Sequence, residues 1–448
     1  MTDQNTLPFQ RQLHRLGRAV RAVGTDDLVH HGGVMAAATV VAGGFNYGYQ
    51  VFVGRYLGAE AYGAFGALFA LFYLLHVVGR GVRFSASRFA AELDGPDERA
   101  AFYRGFLLRS TALGVVGTVL LVAASPAVAG FLGLDSAAPV TVVAVAIGVE
   151  LVLTANQGTM QGLQRFGALG AFKVAQAAVK LALGVALVLA GLRLYGAFAA
   201  VALGSAVVLL ASTGYLLRSL GRPSAAASRF RYRRAYRYVV PAAIAGFCLT
   251  VPANADVVVV KHFFPAVDAG HYAAASVLGK VLLFLPMGIS TALFPKVTAD
   301  HAAARSDRLH ALFDRALAYA ALVAAAGAAG FWLLAEDLLA LAYGPEYVAA
   351  APLVRWYGLA IAAVVLAVVV LNFELARDRT GYVYLFALGS VAELALIWAH
   401  HATLIRVAQI VLVANAVLFA VGFAAVKLDL DLDPTRLTTA LSTFINDR

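Results

Sequence analysis

The sequence predicts an all-α polytopic membrane protein, with twelve transmembrane helices arranged as two six-helix bundles related by a pseudo-twofold axis along the membrane normal. Three observations predict it. The first is composition: of 448 residues, 61% are hydrophobic and only 13% charged, with a mean hydropathy of +0.78. Ordinary soluble domains carry about 25% charged residues, and a water-facing surface for a chain this long cannot be built from so few. The second is a series of apolar runs, each near the roughly 20 residues that a span requires. The third is the placement of Lys and Arg. Connections on the side of the N-terminus hold 26, those on the opposite side hold four (Arg55, Arg193, Lys261 and Arg406), and five (Arg80, Arg109, Lys180, Lys280 and Arg355) lie in or at the edges of spans. By the positive-inside rule this places both termini in the cytoplasm and the chain in the cell membrane. One span missed or invented would move every later loop to the wrong side.

Residues 1–30 form the first element, a cytoplasmic and interfacial segment. Phe9, Leu13, Leu16, Val20 and Val23 recur at helical spacing, with Arg11, Arg15, Arg18 and Arg21 on other faces, so the segment predicts an amphipathic helix lying on the membrane. A full-length apolar run follows it, rather than the short apolar core and small-residue cleavage site of a signal peptide. The N-terminal bundle is expected over 31–218, with span cores at 34–54, 62–82, 105–128, 138–160, 168–191 and 195–218. A basic cytoplasmic linker at 219–235, within S-L-G-R-P-S-A-A-A-S-R-F-R-Y-R-R-A-Y, divides the chain. The C-terminal bundle is expected over 236–427, with cores at 236–260, 271–296, 311–333, 351–373, 380–399 and 404–426, and a cytoplasmic tail over 428–448. A weak repeat at an offset of 207 residues aligns Gly63-Ala64-Phe65 with Gly270-His271-Tyr272 and Gly81 with Gly288. An even number of spans per half makes such a repeat parallel in the membrane.

The formal net charge of +10 and pI near 9.7 point to anionic lipid headgroups rather than nucleic acid, because the cations cluster between apolar runs. Cys248 is the single cysteine, which excludes an intrachain disulfide and a cysteine-based metal site. No G-x-x-x-x-G-K-[ST], H-E-x-x-H, G-x-S-x-G or G-x-G-x-x-G pattern occurs. The longest outer connection, roughly Leu334 to Ala351, is too short for a catalytic domain. No catalytic residue, cofactor or metal is therefore expected. The pairs His30-His31 and His400-His401 sit at span ends, where interfacial placement accounts for them.

Ionisable groups at membrane depth are costly and mark functional positions. Asp256 follows Pro252 and Asn254 in T-V-P-A-N-A-D, where the proline frees backbone carbonyls. It reads as a proton or sodium site, as a partner to a cavity Lys or Arg, or as half of a structural ion pair that locks the two bundles. Lys280, Lys180, Arg80 and Arg83 are cations in otherwise apolar stretches, suited to line a basic cavity for a phosphate or diphosphate, whereas Arg88 reads as a positive-inside anchor. Asn46, Tyr47, Tyr49, Gln50, Asn156, Gln157, Gln161, Gln176 and Asn254 supply hydrogen bonds either to a hydroxyl-rich solute or between helices. Glu150, Asn372, Glu374 and Glu393 are further acidic or polar candidates, and Pro241, Pro252, Pro286 and Pro295 are candidate bending points.

The stretch F-N-Y-G-Y-Q-V-F-V-G-R-Y-L-G-A-E-A-Y-G-A-F, residues 45–65, resembles the first-span signature of the polysaccharide (Wzx-type) flippases, with Arg55, Leu57, Gly58, Tyr62 and Gly63 at the matching positions. G-R-G-V-R-F-S-A-S-R-F-A-A-E is similar to the end of that family's second span, and D-A-G-H-Y-A-A-A-S-V-L followed by L-F-P-K-V to its spans 7 and 8. The superfamily also contains lipid II flippases and multidrug and toxin extrusion transporters. The two extra C-terminal spans of typical lipid II flippases are absent here. The resemblance implies a transporter, not an enzyme, that moves a polyprenyl diphosphate-linked oligosaccharide to the outer leaflet by alternating access. Its implied partners are that lipid-linked oligosaccharide, membrane lipids and polysaccharide-assembly enzymes. The alternatives are a cation-coupled multidrug antiporter using Asp256, which the embedded Lys and Arg disfavour by repelling cationic drugs, and a non-transporting scaffold for glycan assembly.

Overall fold

The computed structural model describes residues 27–223, 232–283, 306–377, 379 and 381–430. The expected N-terminal interfacial helix, the middle of the basic linker, the stretch holding Pro286, Gly288, Pro295 and L-F-P-K-V, most of the C-terminal tail, and the side chains of His30, His31, Pro241 and Cys248 lie outside the described residues.

The described chain is helical, with no strand among its residues. Helix α1 runs Asp27–Leu75 and continues through a one-residue turn into α2, Val77–Ala91. The run Gly32–Ala91 is 60 residues long, far more than the roughly 20 that one crossing needs. It is interrupted at Gly58, whose φ of 78° and ψ of 165° are non-helical. A residue without Cβ takes that conformation at no steric cost, so the Leu-Gly turn that the family resemblance implies at Leu57-Gly58, between spans 1 and 2, is a single-residue break. Helix α3 (Pro96–Phe131) begins with proline in its first turn, where the missing N–H is no loss. Helices α4 (Ala138–Gly162), α5 (Phe166–Leu187) and α6 (Arg193–Leu220) follow, with α5 and α6 joined through a π turn in which Gly191 has φ 89°.

In the second half, α7 (Tyr232–Thr250) and α8 (Ala255–Phe263) are one expected span broken by a 3-10 turn at Val251–Ala253. Pro252 is the cause, because it cannot donate to the helical ladder. Helix α9 covers Ala266–Lys280, α10 Ser306–Ala342, α11 Ala351–Ala376, α12 Gly381–Ala399 and α13 Leu404–Lys427. The Thr403 hydroxyl caps α13 by accepting from the Arg406 N–H at 3.1 Å. Eight described helical runs are long and apolar enough to cross a membrane, and two of these, at 60 and 55 residues, are long enough for two crossings each.

Burial separates posts from walls. The apolar window of α4 is 72% buried and that containing α11 is 61% buried, against 17% for α3 and 22% for α10. Helices α4 and α11 therefore form the inner post of each half. The exposed Leu108, Val115, Val119 and Leu120 of α3 and Tyr319, Leu322 and Leu333 of α10 turn apolar side chains toward lipid.

The halves meet along a seam with local twofold character. A Cβ placed on Gly63 would fall on the Ala266 carbonyl and the Gly270 nitrogen, and one placed on Gly270 would fall on the Ala59 carbonyl. Ala59 and Ala266, like Gly63 and Gly270, stand 207 residues apart. A contact between i and j that recurs between the equivalents of j and i is the signature of a twofold interface. Gly66 would meet its own equivalent, Ala273, which places that pair near the axis. Around this patch the Tyr62 and Tyr343 hydroxyls lie 3.4 Å apart, the Tyr347 hydroxyl donates to the Gly54 carbonyl at 2.8 Å, and Arg55 donates to the Leu341 carbonyl at 3.0 Å. At the other end α2 packs on α7, where Ser85 donates to the Ala235 carbonyl at 2.8 Å and Gly81 leaves room for the Val239 carbonyl.

Candidate functional site: a cavity on the pseudo-twofold axis

A cavity of about 120 Å³ lies between the halves, bordered by Gly66 and Ala273 of the seam. Every wall residue from the second half sits 207 positions after one from the first: Asn254 after Tyr47, Val257 after Gln50, Ala273 after Gly66, Ser276 after Phe69, Val277 after Ala70 and Lys280 after Tyr73. Gly43 and Asn46 complete the lining. The cavity therefore straddles the axis, and the polar candidates Asn46, Gln50, Asn254 and Lys280 share one wall. Tyr73 and Ser276 join them without having been singled out.

The Lys280 ammonium donates to Asn254 Oδ1 at 3.3 Å. Asn254 Nδ2 donates to the Thr250 carbonyl at 3.0 Å, and Arg80 donates to Thr250 Oγ1 at 3.2 Å. One cation from each half is thus tied to the broken turn between α7 and α8. Lys180 donates to Asn46 Oδ1 at 2.5 Å, with its ammonium 4.7 Å from the centre of the Tyr49 ring, a cation–π distance. Arg83 donates to Gln161 Oε1 at 3.0 Å. Lys173, one of the 26 cations expected in connections on the side of the N-terminus, lies in the second turn of α5 and donates to Thr39 Oγ1 at 3.0 Å.

All five of these cations are half-buried. Each donates to a neutral side-chain oxygen, and among the described residues none has a carboxylate within ion-pair distance. Arg88, the expected anchor, pairs instead with Glu92 at 3.2 Å on the surface. Charge held away from water needs a counter-charge or a dense set of acceptors; of the five, Lys280 is the one on the cavity wall.

The described acids make no ion pair with these cations, although Asp256 lies near enough to Lys280, and Glu150 to Lys180, to act on their charge. Asp256 is fully buried in the first turn of α8 and accepts from the hydroxyls of Tyr272 (2.8 Å) and Tyr357 (2.9 Å), both on Oδ2. Tyr357 also lies 3.0 Å from Ser276 Oγ. Asp256 Oδ1 has no hydrogen-bond partner among the described residues. The carboxylate is therefore held by tyrosines rather than locked in an ion pair between bundles. Sequence spacing offered no route to Tyr357, which is 101 residues away. Glu150 accepts from Gln176 at 2.7 Å and Ser205 at 2.6 Å, and Glu393 from Asn415 at 2.8 Å.

Several polar candidates join helices instead. Asn156 bridges Ser212, Thr213 and Tyr103, and Glu374 pairs with Arg377 at 3.2 Å at the end of α11.

The family model described as polysaccharide biosynthesis protein matches residues 28–299, more than half of the chain. No curated protein matches it closely enough to be significant. Among solved structures, the chain is similar to an inward-facing multidrug resistance MATE family transporter of the MOP superfamily, with a TM-score of 0.76, 16% identity, and 86% of this chain and 94% of that one covered. It is similar to the lipid II flippase MurJ in an inward closed conformation, with a TM-score of 0.70, 14% identity, and 92% and 93% covered. A third likeness is to a MOP superfamily transporter from Pyrococcus furiosus described as having a binding pocket of reversed polarity, with a TM-score of 0.62, 15% identity, and 89% and 94% covered. At these identities the structural likenesses establish the fold, a two-lobed all-helical transporter architecture. The chain is a multi-pass membrane protein that belongs to the polysaccharide biosynthesis protein family and shares the fold of the MOP superfamily transporters and flippases.

Proposed function

We propose that the protein is a flippase that moves a polyprenyl phosphate- or diphosphate-linked oligosaccharide from the cytoplasmic to the outer leaflet of the cell membrane, with both termini cytoplasmic. The observation that carries this reading is the group of five half-buried cations, Arg80, Arg83, Lys173, Lys180 and Lys280, that have neutral oxygens as their hydrogen-bond partners. A phosphate-bearing headgroup supplies the missing charge. Arg offers it a bidentate fork and Lys a point charge, while Asn46, Gln50, Tyr73 and Ser276 offer partners to sugar hydroxyls. The lipid tail stays in the bilayer, so only the headgroup needs a substitute for water.

Transport follows as rocking of the halves about the axis on which the cavity lies. The membrane potential, negative inside, favours outward movement of an anion by about 2.3 kcal/mol per charge per 100 mV. Asp256, with one oxygen unpartnered beside the cavity wall, is the position for a coupling proton or sodium ion. The product is handed to polysaccharide-assembly enzymes on the outer face.

The test is the lipid-linked oligosaccharide pool and surface glycan in cells with and without the gene. Accumulated precursor with lost surface glycan supports the flippase. Unchanged glycan with raised sensitivity to cationic dyes overturns it in favour of drug extrusion.

A further inference from the structure

A second and larger space lies on the other side of the seam. This vestibule of about 720 Å³ is lined by Glu60, Asp135, Arg193, Lys261, His271 and Glu346, together with small residues of the seam. Ala59 and Ala266, whose carbonyls close the seam against Gly270 and Gly63, are on its wall, whereas Gly66 and Ala273 are on the wall of the central cavity. The same contact thus separates the two spaces, and parting it joins them.

Lys261 is the residue that gives the vestibule a purpose. Only 7% of it is exposed, yet its ammonium donates no hydrogen bond to any described residue, and no described carboxylate lies within ion-pair distance. Asp135 on the same wall acts on it from farther away. Because the group faces open volume, an anion that enters can replace water on it with a charge-assisted hydrogen bond. Arg193, exposed on the same wall, donates no side-chain hydrogen bond to a described residue either. Glu60, Asp135 and Glu346 are suited to accept from sugar hydroxyls, and their charge keeps the hold on an anion weak, as release requires.

We propose that this vestibule is a second anion site, centred on Lys261 and Arg193, which takes the phosphate group of the substrate after it has passed the seam. The proposal rests on the flippase reading above.

Inorganic pyrophosphate titrated by calorimetry into the full chain, in nanodiscs of phosphatidylcholine, tests it. The wild type is expected to show two binding components. Lys261→Gln removes one of them, or weakens it at least about tenfold, as loss of a charged hydrogen-bond donor does. Lys261→Arg keeps it, and Lys280→Gln removes the other. If Lys261→Gln titrates like the wild type while Lys280→Gln still loses a component, the vestibule site is overturned and the flippase reading stands. If Lys280→Gln changes nothing, the flippase reading loses its cavity and the vestibule proposal falls with it. In nanodiscs containing phosphatidylglycerol, persistence of the Lys261 component supports a headgroup that arrives through the seam. Its disappearance assigns the site to bilayer lipid and overturns the exit role.

Discussion

The two halves place equivalent residues at equivalent positions around the cavity and then give them different chemistry. Tyr47, Gln50, Phe69 and Tyr73 of the first half face Asn254, Val257, Ser276 and Lys280 of the second. The exchange extends outward from the cavity. Tyr49 of α1 corresponds to Asp256 of α8, and Glu150 of α4 to Tyr357 of α11, each pair 207 residues apart. In the first half the tyrosine caps a backbone carbonyl, Ala197 at 2.6 Å, and the acid is held by an amide and a hydroxyl. In the second half the acid is held by two tyrosines. Symmetry is kept where backbones touch, at Gly63, Gly66, Gly270 and Ala273, because close approach tolerates no larger side chain. It is lost around the cavity, where equivalent positions carry different side chains. The scaffold thus rests on what the halves share, and the site on what they do not.

Four sets of substitutions would break or sharpen this comparison. The largest effect is expected from Lys280→Ala and Arg80→Ala, each of which should lower flipping of lipid-linked precursor by about ten- to hundredfold, the scale of a lost charged hydrogen bond. The readout is precursor exposed at the outer leaflet of reconstituted vesicles. The equivalent first-half change, Tyr73→Phe, should cost far less, and equal losses would erase the asserted division of labour.

Next in size are Gly270→Ala and Gly63→Ala. Their Cβ atoms meet backbone rather than a movable side chain, and forcing atoms into a packed contact costs about 1–3 kcal/mol. Both should lower the thermal midpoint in detergent, because the interface is reciprocal. A drop for one alone would deny the twofold seam.

Tyr357→Phe removes one of the two donors to Asp256 Oδ2, at an expected cost of about 1–3 kcal/mol in stability. Tyr49→Phe, its counterpart in the exchanged arrangement, leaves a carbonyl rather than a carboxylate short of a donor and should cost less. Denaturation of the two variants side by side would reverse the argument if Tyr49→Phe proved worse.

The smallest effect is expected at Gly117, where an added Cβ meets nothing within 4 Å. Gly117→Ala should leave transport unchanged and raise stability slightly, since Ala is the better helix former by up to about 1 kcal/mol. It is the control for the seam glycines.

Much of the architecture was readable because its determinants are local. The turn at Gly58 came with the family resemblance of residues 45–65, and the loosened span 7 could be named from Pro252, since a missing N–H acts on its own backbone. Asn46, Gln50, Lys280 and Asn254 could be singled out because a polar residue in an apolar run is conspicuous at any position. Tyr73, Ser276, Tyr272 and Tyr357 were not, since tyrosine and serine are ordinary in such runs. Lys173 was assigned to a connection because nothing in the sequence shows that Thr39 stands opposite it.

By itself, then, the sequence determined an all-helical membrane chain with a repeat at 207 residues and a set of embedded charges. Solvation in a bilayer penalises every exposed backbone group and every charge, so composition and periodicity carry that information. Only the tertiary structure decided which charges share a wall, that the cations have neutral partners while Asp256 has tyrosines, and that the repeat places its two copies face to face across one cavity. Those outcomes depend on contacts between residues one to three hundred positions apart, and such pairings are settled by packing rather than by any local property of the chain.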